Sequence, residues 1–298
     1  MHFVLAAHRA TPTTAGLAAA GARAGVASML LPPDAAAEFA GRGDVVLGRL
    51  DVRPTLDGIE QGVGALGRAA ARGARVLNGP SALLAAHDKL LTARCLRAAG
   101  VPHPVTAFCS QTIRMPSVRP PVVVKPRFGS WGRDVVLCED EVALESHLAT
   151  LSGERWFRSR GALIQELVPP LGFDLRLVVA AGEVVGAVRR EAAPGEWRTN
   201  VALGATRIPV VPPPDACSLA VSAAAAIGAD LVGVDLLPTS SWDLVVLELN
   251  GAVDFTSDYH CSEGDIFDAV VQRLFAPVTV EAEPLAPLVL QSVAALRA

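Results

Sequence analysis

The sequence predicts an α/β protein built from about two domains, or from one large divided domain. Its 298 residues fit that number, because a domain typically holds roughly 150 residues. Strand and helix patterns alternate along residues 1–80, which is typical of a parallel sheet with helices on its faces. Hydrophobic residues make up 51% of the chain and charged residues 19%, so a buried core is expected and disorder is not.

Residues 1–80 form the first predicted domain, an N-terminal α/β unit. Short apolar runs predict its strands, and periodic or alanine-rich stretches predict its helices. The strands are expected at 2–7, 26–31, 44–50 and 75–77, and the helices at 15–24 and 59–72. The Gly62-x-Gly64-x-x-Gly67 run matches a dinucleotide-binding pattern, but it follows no strand and lies inside a helical pattern, which disfavours that interpretation.

Residues 81–155 and 156–275 form two predicted subdomains, a central one and a C-terminal one, which are called the second and third domains below. Ser81 is a suitable cap for a helix running to about residue 99, before Gly100 and Pro102. In the second domain, strands at 122–125 and 135–138 are followed by a helix at 140–151. In the third, strands are expected at 163–167, 174–179, 184–190, 231–237 and 244–249, with helices at 218–227 and 262–274. Residues 276–298 form a tail without an assigned role.

Two lysines are placed to meet a phosphate. Lys89 lies on the helix predicted after Ser81, and Lys125 ends an apolar strand just before a glycine-rich segment. Lysine carries a compact positive charge that suits phosphate. Either lysine alone is more typical of a solvated surface charge, so the neighbouring loop is what favours phosphate binding.

The glycine-rich segment contains Gly129, Ser130, Trp131 and Gly132 in one short connection. Glycine lets backbone N–H groups approach anionic oxygens closely. The segment is not a Walker-type phosphate loop, because it lacks Gly-Lys-Ser/Thr and no helix follows it. Taken alone, it fits an ordinary hairpin turn as well as a phosphate cradle.

Asp235, Glu248 and Asn250 form a predicted metal site. Glu248 and Asn250 are two residues apart on a strand, so both leave one face while Leu247 and Leu249 leave the other. The polar turn at 239–243 returns the chain so that Asp235 lies at about the same level of the sheet. Three oxygen ligands suit Mg²⁺, and two carboxylates buried without a cation or donors would be costly.

The order of these clusters resembles the RimK-like branch of the ATP-grasp ligases. The resemblance covers roughly residues 40–275 and rests on a pattern of many parts. Its parts are Lys89, Lys125, the glycine-rich segment, Gln165-Glu166-Leu167, Asp174-x-Arg176, Arg189-Arg190, Arg198-x-Asn200, Gly233-Val234-Asp235-Leu236 and Glu248-Leu249-Asn250.

The resemblance implies an ATP-grasp fold, in which a Rossmann-like N-terminal domain, a small central domain and a C-terminal domain clamp ATP. Lys89 and Lys125 would hold the phosphates together with the glycine-rich segment, and Asp174 would face the nucleotide. The stretch Gln165-Glu166-Leu167 would hold adenine.

The resemblance also implies a ligase that forms ADP and an amide bond through an acylphosphate. Asp235, Glu248 and Asn250 would bind Mg²⁺, with two ions expected and Mn²⁺ as a substitute. The transferred phosphoryl group and the tetrahedral intermediate would be stabilised by Arg190, Arg198 and Asn200.

Three stretches are most similar to the ligases that load an amino acid onto an amino-group carrier protein, such as α-aminoadipate–carrier ligase of lysine biosynthesis. They are residues 129–133, 197–204 and 248–255. This similarity implies amino-acid biosynthesis, with an amino acid joined to the C-terminal Glu of a small acidic carrier protein or peptide. Asp254 departs from the usual Glu, and Leu203-Gly204-Ala205 from a basic residue and two glycines.

Two other functions stay open at this stage. One is a RimK-type glutamate ligase acting on a protein or small peptide, against which Trp131 and the Asp254-Phe255 pair count modestly. The other is a non-catalytic ATP-binding domain, which the complete set of oxygen ligands disfavours.

Charge and composition limit the partners. The net charge is −4 without a long basic run, so nucleic acid is not expected. No stretch is long and apolar enough for a membrane helix and no signal peptide is recognised, so a cytoplasmic enzyme is expected. The family resemblance implies a homo-oligomer, dimer or tetramer. A basic route for an acidic carrier is expected from Arg127, Arg133, Arg189, Arg190 and Arg198.

Overall fold

The structure of the protein is a computed structural model that describes residues 1–112, 118–262 and 264–276. The predicted tail 276–298 lies outside this part of the chain except for Ala276. Three sheets organise the described residues. None of the helices in these ranges is long and apolar enough to cross a membrane.

The first sheet is wholly parallel, as predicted, in the order β2-β1-β3-β4. Its strands are β1 His2–Ala6, β2 Ala27–Leu31, β3 Val45–Gly48 and β4 Arg75–Leu77. The helices that cover it are α1 Pro12–Arg23, α2 Pro33–Phe39 and α3 Val63–Ala71. The short helix α2 was not predicted. Alternate residues of β1 enter separate cores on the two faces of the sheet.

The helix predicted from Ser81 to about residue 99 is wrong in one respect, because it is two helices. They are α4 Pro80–His87 and α5 Lys89–Ala98. Asp88 separates them with a non-helical backbone (φ −86°, ψ 95°), and its side chain accepts hydrogen bonds from the N–H groups of Leu90 and Leu91. The first helix is preceded by Gly79 and not capped by Ser81. The break places Lys89 in the first turn of a new helix.

The second sheet is antiparallel in the order β5-β8-β6-β7. Its strands are β5 Thr106–Cys109, β6 Val122–Pro126, β7 Val136–Cys138 and β8 Ala162–Glu166. The helices α6 Glu141–Leu151 and α7 Arg155–Arg160 pack on one face. The strand β5 and the helix α7 were not predicted. The predicted domain boundary at 155/156 separates β8 from the sheet in which it lies.

The third sheet is antiparallel in the order β11-β10-β9-β12-β13. Its strands are β9 Phe173–Ala180, β10 Glu183–Glu191, β11 Thr206–Pro209, β12 Leu231–Pro238 and β13 Leu244–Asn250. The helices α8 Pro214–Ile227 and α9 Ile266–Phe275 complete this region. One face is apolar and packs on α8 and α5. The other face is apolar at one end and carries charged residues at the other.

The apolar end of that second face shares one hydrophobic core with the first sheet. Phe3 and Leu5 of β1 belong to the same buried cluster as Val178 and Ala180 of β9, and α9 contributes further residues such as Leu274. The second sheet has a separate core that includes Trp156 and Ile164. The first and third sheets therefore form one packed unit, and the second sheet has a core of its own.

Candidate functional site

A cleft of about 930 Å³ is lined by residues of the second and third sheets. Its wall contains every site residue predicted from the sequence except Asn250, which lines an adjoining cavity. Fifteen predicted residues are thereby brought together: Lys89, Lys125, Gly129, Ser130, Trp131, Gly132, Gln165, Glu166, Leu167, Asp174, Arg190, Arg198, Asn200, Asp235 and Glu248.

Lys125 is buried in this wall, with only 5% of its surface exposed. Its Nζ donates to Oε1 of Gln165 at 2.7 Å, and Nε2 of Gln165 donates to Oγ1 of Thr106 at 2.9 Å. Burial lowers the pKa of Lys125 to about 8, and the charge of Lys89 adds to the effect. Gln165 therefore orients the lysine without neutralising its charge, a role that the sequence did not indicate.

Lys89 has a different partner. Its Nζ donates to Oε2 of Glu248 at 2.9 Å, across the junction between α5 and β13. Burial is the largest single influence on the pKa of Glu248 and raises it, but the charges of Lys89 and Lys125 and the hydrogen bond from Lys89 together lower this pKa. Both side chains retain partial exposure toward the cleft, at 12% and 24%.

The glycine-rich segment joins β6 to β7 and is held by residues from the third sheet's region. Nη1 of Arg198 donates to the carbonyls of Gly132 and Val135 at 3.1 and 3.3 Å. Gly132 has φ +71°, and a Cβ there would lie 2.7 Å from Oδ1 of Asn200. Trp131 also has a positive φ of 61° and is 55% exposed. Both a left-handed backbone and close packing therefore require glycine at position 132.

The charged end of the third sheet is a buried network of ion pairs. Asp235 accepts two hydrogen bonds from Arg176, both at 2.6 Å, and one from Arg190 at 2.7 Å. Arg190 also pairs with both oxygens of Asp174, which accepts from Oγ1 of Thr199 at 2.6 Å. Burial would raise the pKa of Asp235, but the two arginines hold it well below its usual range. Asp235 is therefore anionic at neutral pH, whereas burial raises the pKa of Asp174 despite its pairing with Arg190.

These ion pairs correct the reasoning that led to the metal site. The buried carboxylates have protein donors, so burial alone does not require a cation. Within residues 1–112, 118–262 and 264–276, no group of three or more His, Cys, Asp or Glu side chains is arranged to hold a metal. The predicted set of two carboxylates and one amide still fits Mg²⁺ in kind, since all three offer oxygen.

The register of β12 and β13 confirms that Asp235 lies directly opposite Glu248. The register shifts just beyond this pair, so that Leu236 lies opposite Val246. Because of this shift, the prediction that Leu247 points to the opposite face of the sheet from Glu248 is wrong. Leu247 lines the cleft beside Glu248, whereas Leu249 packs in the core as expected.

The stretch predicted to hold adenine, Gln165-Glu166-Leu167, lies at the end of β8. The N–H of Glu166 donates to the Val105 carbonyl at 2.9 Å, and that of Leu167 donates to the Pro121 carbonyl at 3.3 Å. These two N–H groups are thus already used by the protein. The side chain of Leu167 lines the cleft with Val123 and Leu237, an apolar wall that suits a flat heterocycle.

A second cavity, of about 1090 Å³, adjoins the cleft. The two share Lys89, residues 129–131, Arg190, Asn200 and Glu248. The second cavity extends to residues that the sequence did not single out, among them His87, Asp51 and Arg207. Burial lowers the pKa of His87 to about 4, so its ring is neutral. No pattern of the sequence marks these residues, since each comes from a different element.

The expected basic route is largely neutralised. Four of its five arginines pair with a carboxylate: Arg127 with Asp88, Arg189 with Glu191, Arg190 with Asp174 and Asp235, and Arg198 with Glu196. The fifth, Arg133, donates to the Pro54 carbonyl. Because these charges are offset, they offer little attraction for an acidic tail.

Known proteins resemble this chain over most of its length. The RimK-like ATP-grasp domain matches residues 86–273. The probable alpha-L-glutamate ligase of Aeromonas salmonicida (strain A449) is 32% identical over 204 residues, which are 66% of this chain and 67% of that protein. Among solved structures, the RimK domain protein ATP-grasp from Sphaerobacter thermophilus DSM 20745 has a TM-score of 0.65 at 22% identity, covering 93% of this chain and 100% of the other.

A further structural match holds ligands. The ATP-grasp ligase PsnB, complexed with minimal precursor, Mg and ADP, has a TM-score of 0.64 at 18% identity and covers 92% of this chain and 97% of its own. At such identities these structures are evidence for the fold alone. The predicted ATP-grasp architecture is confirmed.

Proposed function

The chain is an ATP-grasp ligase of the RimK-like family, and on that premise we propose that it joins the amine of an amino acid to the C-terminal glutamate carboxylate of a carrier protein or peptide. The observation that supports this most directly is the pair of adjoining cavities. They share Lys89 and Glu248 in one wall. A nucleotide in the first cavity and organic substrates in the second would meet at that wall.

ATP suits the first cavity in charge and in the apolar character of one wall. Lys125 is a buried cation with a neutral partner, so an anionic phosphate compensates its charge, and Lys89 stands beside it. The glycine-rich segment offers backbone N–H groups over the same region. The apolar wall with Val123 and Leu167 takes the adenine.

Mg²⁺ would be held by Glu248, Asn250 and Asp235. It would offset charge on the transferred phosphoryl group. Lys89 and Arg176, which now donate to the two carboxylates, then share these oxygens with the ion. Each carboxylate oxygen has more than one lone pair, so sharing does not require either pair to break.

The reaction follows from the poor leaving ability of a carboxylate oxygen. Transfer of the γ-phosphoryl group to that oxygen gives an acylphosphate and ADP. The amine then attacks the carbonyl carbon, a C–N bond forms, phosphate leaves with its oxygen, and the nitrogen loses a proton. Arg190 and Asn200 line both cavities and stabilise the charge that develops on oxygen. Arg198 acts by positioning the loop that keeps water from the acylphosphate.

A second candidate is the transfer of glutamate onto a protein or peptide. It is favoured by the curated relatives, which are named probable alpha-L-glutamate ligases. In both candidates the amine belongs to an amino acid. They differ in which amino acid is added and in which chain accepts it.

The experiment combines the protein with Mg-ATP, a panel of amino acids and a peptide with or without a C-terminal Glu. Mass spectrometry of the peptide and ADP release are measured together. A mass gain that requires the terminal Glu and one particular amino acid supports the first candidate. A gain of glutamate residues alone supports the second. ADP release with free amino acids joined to each other, and no gain on the peptide, contradicts both.

A further inference from the structure

Arg207 lies in the wall of the second cavity and has no partner among the residues that the structure describes. It lies on β11, directly opposite Arg190 of β10 in the register of the sheet. Among the described residues, none forms an ion pair or hydrogen bond with its side chain, and its Nε is buried without an acceptor. Two arginines facing each other on adjacent strands repel, so this arrangement has a cost that an anion would remove.

The charges around Arg207 do not cancel. Arg176 and Arg190 share the carboxylates of Asp174 and Asp235, which balances two cations with two anions. Arg207 adds one further positive charge to this edge of the sheet. The buried hydroxyl of Tyr259 also has no hydrogen-bond partner within the described part of the chain, and it lies in the electric field of Arg176, Arg207 and Arg190. A ligand with an anionic oxygen in the second cavity would compensate the charge of Arg207.

The opposite end of the same cavity has the reverse charge. Asp51 and Asp254 line it, and the buried cation beside them is Arg49, which pairs with Asp254. Burial raises the pKa of Asp51, and the charge of Asp254 adds to the rise. The sheet order places β11 and β13 at opposite edges, so the cavity is positive at one edge and negative at the other.

We infer that Arg207 binds the free carboxylate of the amino acid whose amine is joined, and that it makes the enzyme select amino acids over simple amines. The inference rests on the proposed function. With the carboxylate at β11, the amine points across the sheet toward Glu248 and Lys89, where the two cavities meet. The carboxylate at Arg207 is therefore the one that is not activated. An amino acid amide or a decarboxylated amine leaves Arg207 unpaired and binds less well.

The test measures binding and turnover in parallel. Calorimetry follows L-glutamate and its α-amide, then other amino acids and their α-amides, added to the full chain loaded with Mg²⁺ and a non-hydrolysable ATP analogue. For Arg207→Ala we expect binding of the free amino acid to weaken by about 10- to 100-fold, the effect of one charge-assisted contact. We expect Arg207→Ala to lose the preference for the free amino acid over its amide, and Arg207→Lys to retain part of that preference. The affinity for the ATP analogue does not change, which also shows that the variant is folded.

The matched control is Arg68→Ala, which removes a surface cation paired with Asp34 and leaves amino-acid binding unchanged. Equal binding of acid and amide by the unaltered protein would overturn the inference, as would an Arg207→Ala variant with unchanged affinity. So would the absence of amino-acid binding altogether. Binding that depends on Arg207 without any ADP formation would remove the proposed function and leave Arg207 as a carboxylate-binding residue. ADP formation that is unchanged in Arg207→Ala would overturn the inference and leave the proposed function standing.

Discussion

At the scale of single residues, the environment of Lys125 makes nucleotide binding sensitive to pH. Its pKa in the folded protein is about 8, lowered from 10.5 by burial and by Lys89. The charged lysine is lost as pH rises through about 8, well before an exposed lysine would lose its proton. We expect the Kd for Mg-ATP to rise by about tenfold per pH unit above 8, up to roughly 10- to 100-fold. Calorimetry between pH 6.5 and 9.5 measures it.

Lys125→Arg is the control, because an arginine remains protonated across this range. The affinity of this variant for ATP should not change with pH, even if it is lower than that of the original protein at every pH. The stability of the folded protein changes with pH in the opposite direction from the affinity for ATP. Between about pH 8 and 10.5 the unfolded lysine holds a proton that the folded one has released, so stability rises with pH there. An ATP affinity of the original protein that does not change up to pH 9.5 would rule out Lys125 as a phosphate ligand.

Glu248 stands where the two cavities meet, and its neutral analogue separates charge from shape. Glu248→Gln keeps the side chain's size and an acceptor for Lys89, so the fold is expected to remain. We expect kcat to fall by roughly 10²- to 10³-fold, in the range seen when one group that stabilises developing charge is removed. Glu183→Gln is the control, since Glu183 is exposed and lies on the same sheet. Near-normal turnover of Glu248→Gln at saturating Mg²⁺ would contradict the metal assignment.

At the scale of elements, the glycine-rich segment depends on a single glycine. A methyl group at Gly132 would meet Asn200 and Leu203, and its φ of +71° is unfavourable for alanine. Gly132→Ala is therefore expected to displace the loop and lower kcat/KM by about tenfold or more, with little change in Tm. At Gly129 the nearest atom lies 3.4 Å away, so Gly129→Ala is a matched control with a small effect. Equal activities of the two variants would show that the loop geometry is not needed.

The elements that the sequence predicted are those with a clear periodic signal. The strands of the first sheet and the paired strands β12 and β13 follow from apolar runs and turn residues. The break at Asp88 was missed, because the flanking residues all favour helix and the break depends on a distant partner. Arg127 donates to both oxygens of Asp88, at 2.7 and 2.5 Å. The helix α7 is too short for a periodic pattern to be recognised, and the strand β5, with the sequence Thr-Ala-Phe-Cys, has no Val, Ile or Leu to mark it as an apolar run.

In the candidate site, too, some features could be predicted from the sequence and others could not. Residue types and their order indicated which side chains line the cleft, and all but Asn250 are there. Their partners were not predictable, since ion pairs such as Arg176 with Asp235 join residues 59 positions apart. Arg207 was missed for a related reason. Its significance lies in the lack of a partner, which only the folded arrangement of the strands reveals.

At the scale of the whole molecule, the shared core of the first and third sheets predicts uneven stability. Amide hydrogens of β1 and β9 belong to one packed unit, so they should exchange only through global unfolding. Those of β6 and β8 lie in a smaller core and should exchange through local opening, at least tenfold faster. Hydrogen exchange with mass spectrometry tests this. Mg-ATP should reduce the difference in exchange rate between β6 and β8 on one side and β1 and β9 on the other. Equal protection of all four strands would indicate one cooperative unit.

The exposed position of Trp131 also makes the loop optically visible. Of the four tryptophans, Trp156 is buried in the second sheet's core and Trp242 is exposed in the turn between β12 and β13, so neither should respond to a ligand in the cleft. Trp197 lines the cleft together with Trp131, so a Trp197→Phe background isolates the signal of Trp131. Trp131 lines both cavities, and closure of the loop over a nucleotide would transfer its indole from water to protein. In that background the fluorescence emission of Trp131 should then shift to shorter wavelength, and adding Trp131→Phe should abolish the shift. Stopped-flow recording of this signal would time loop closure in each catalytic cycle, separately from the chemistry.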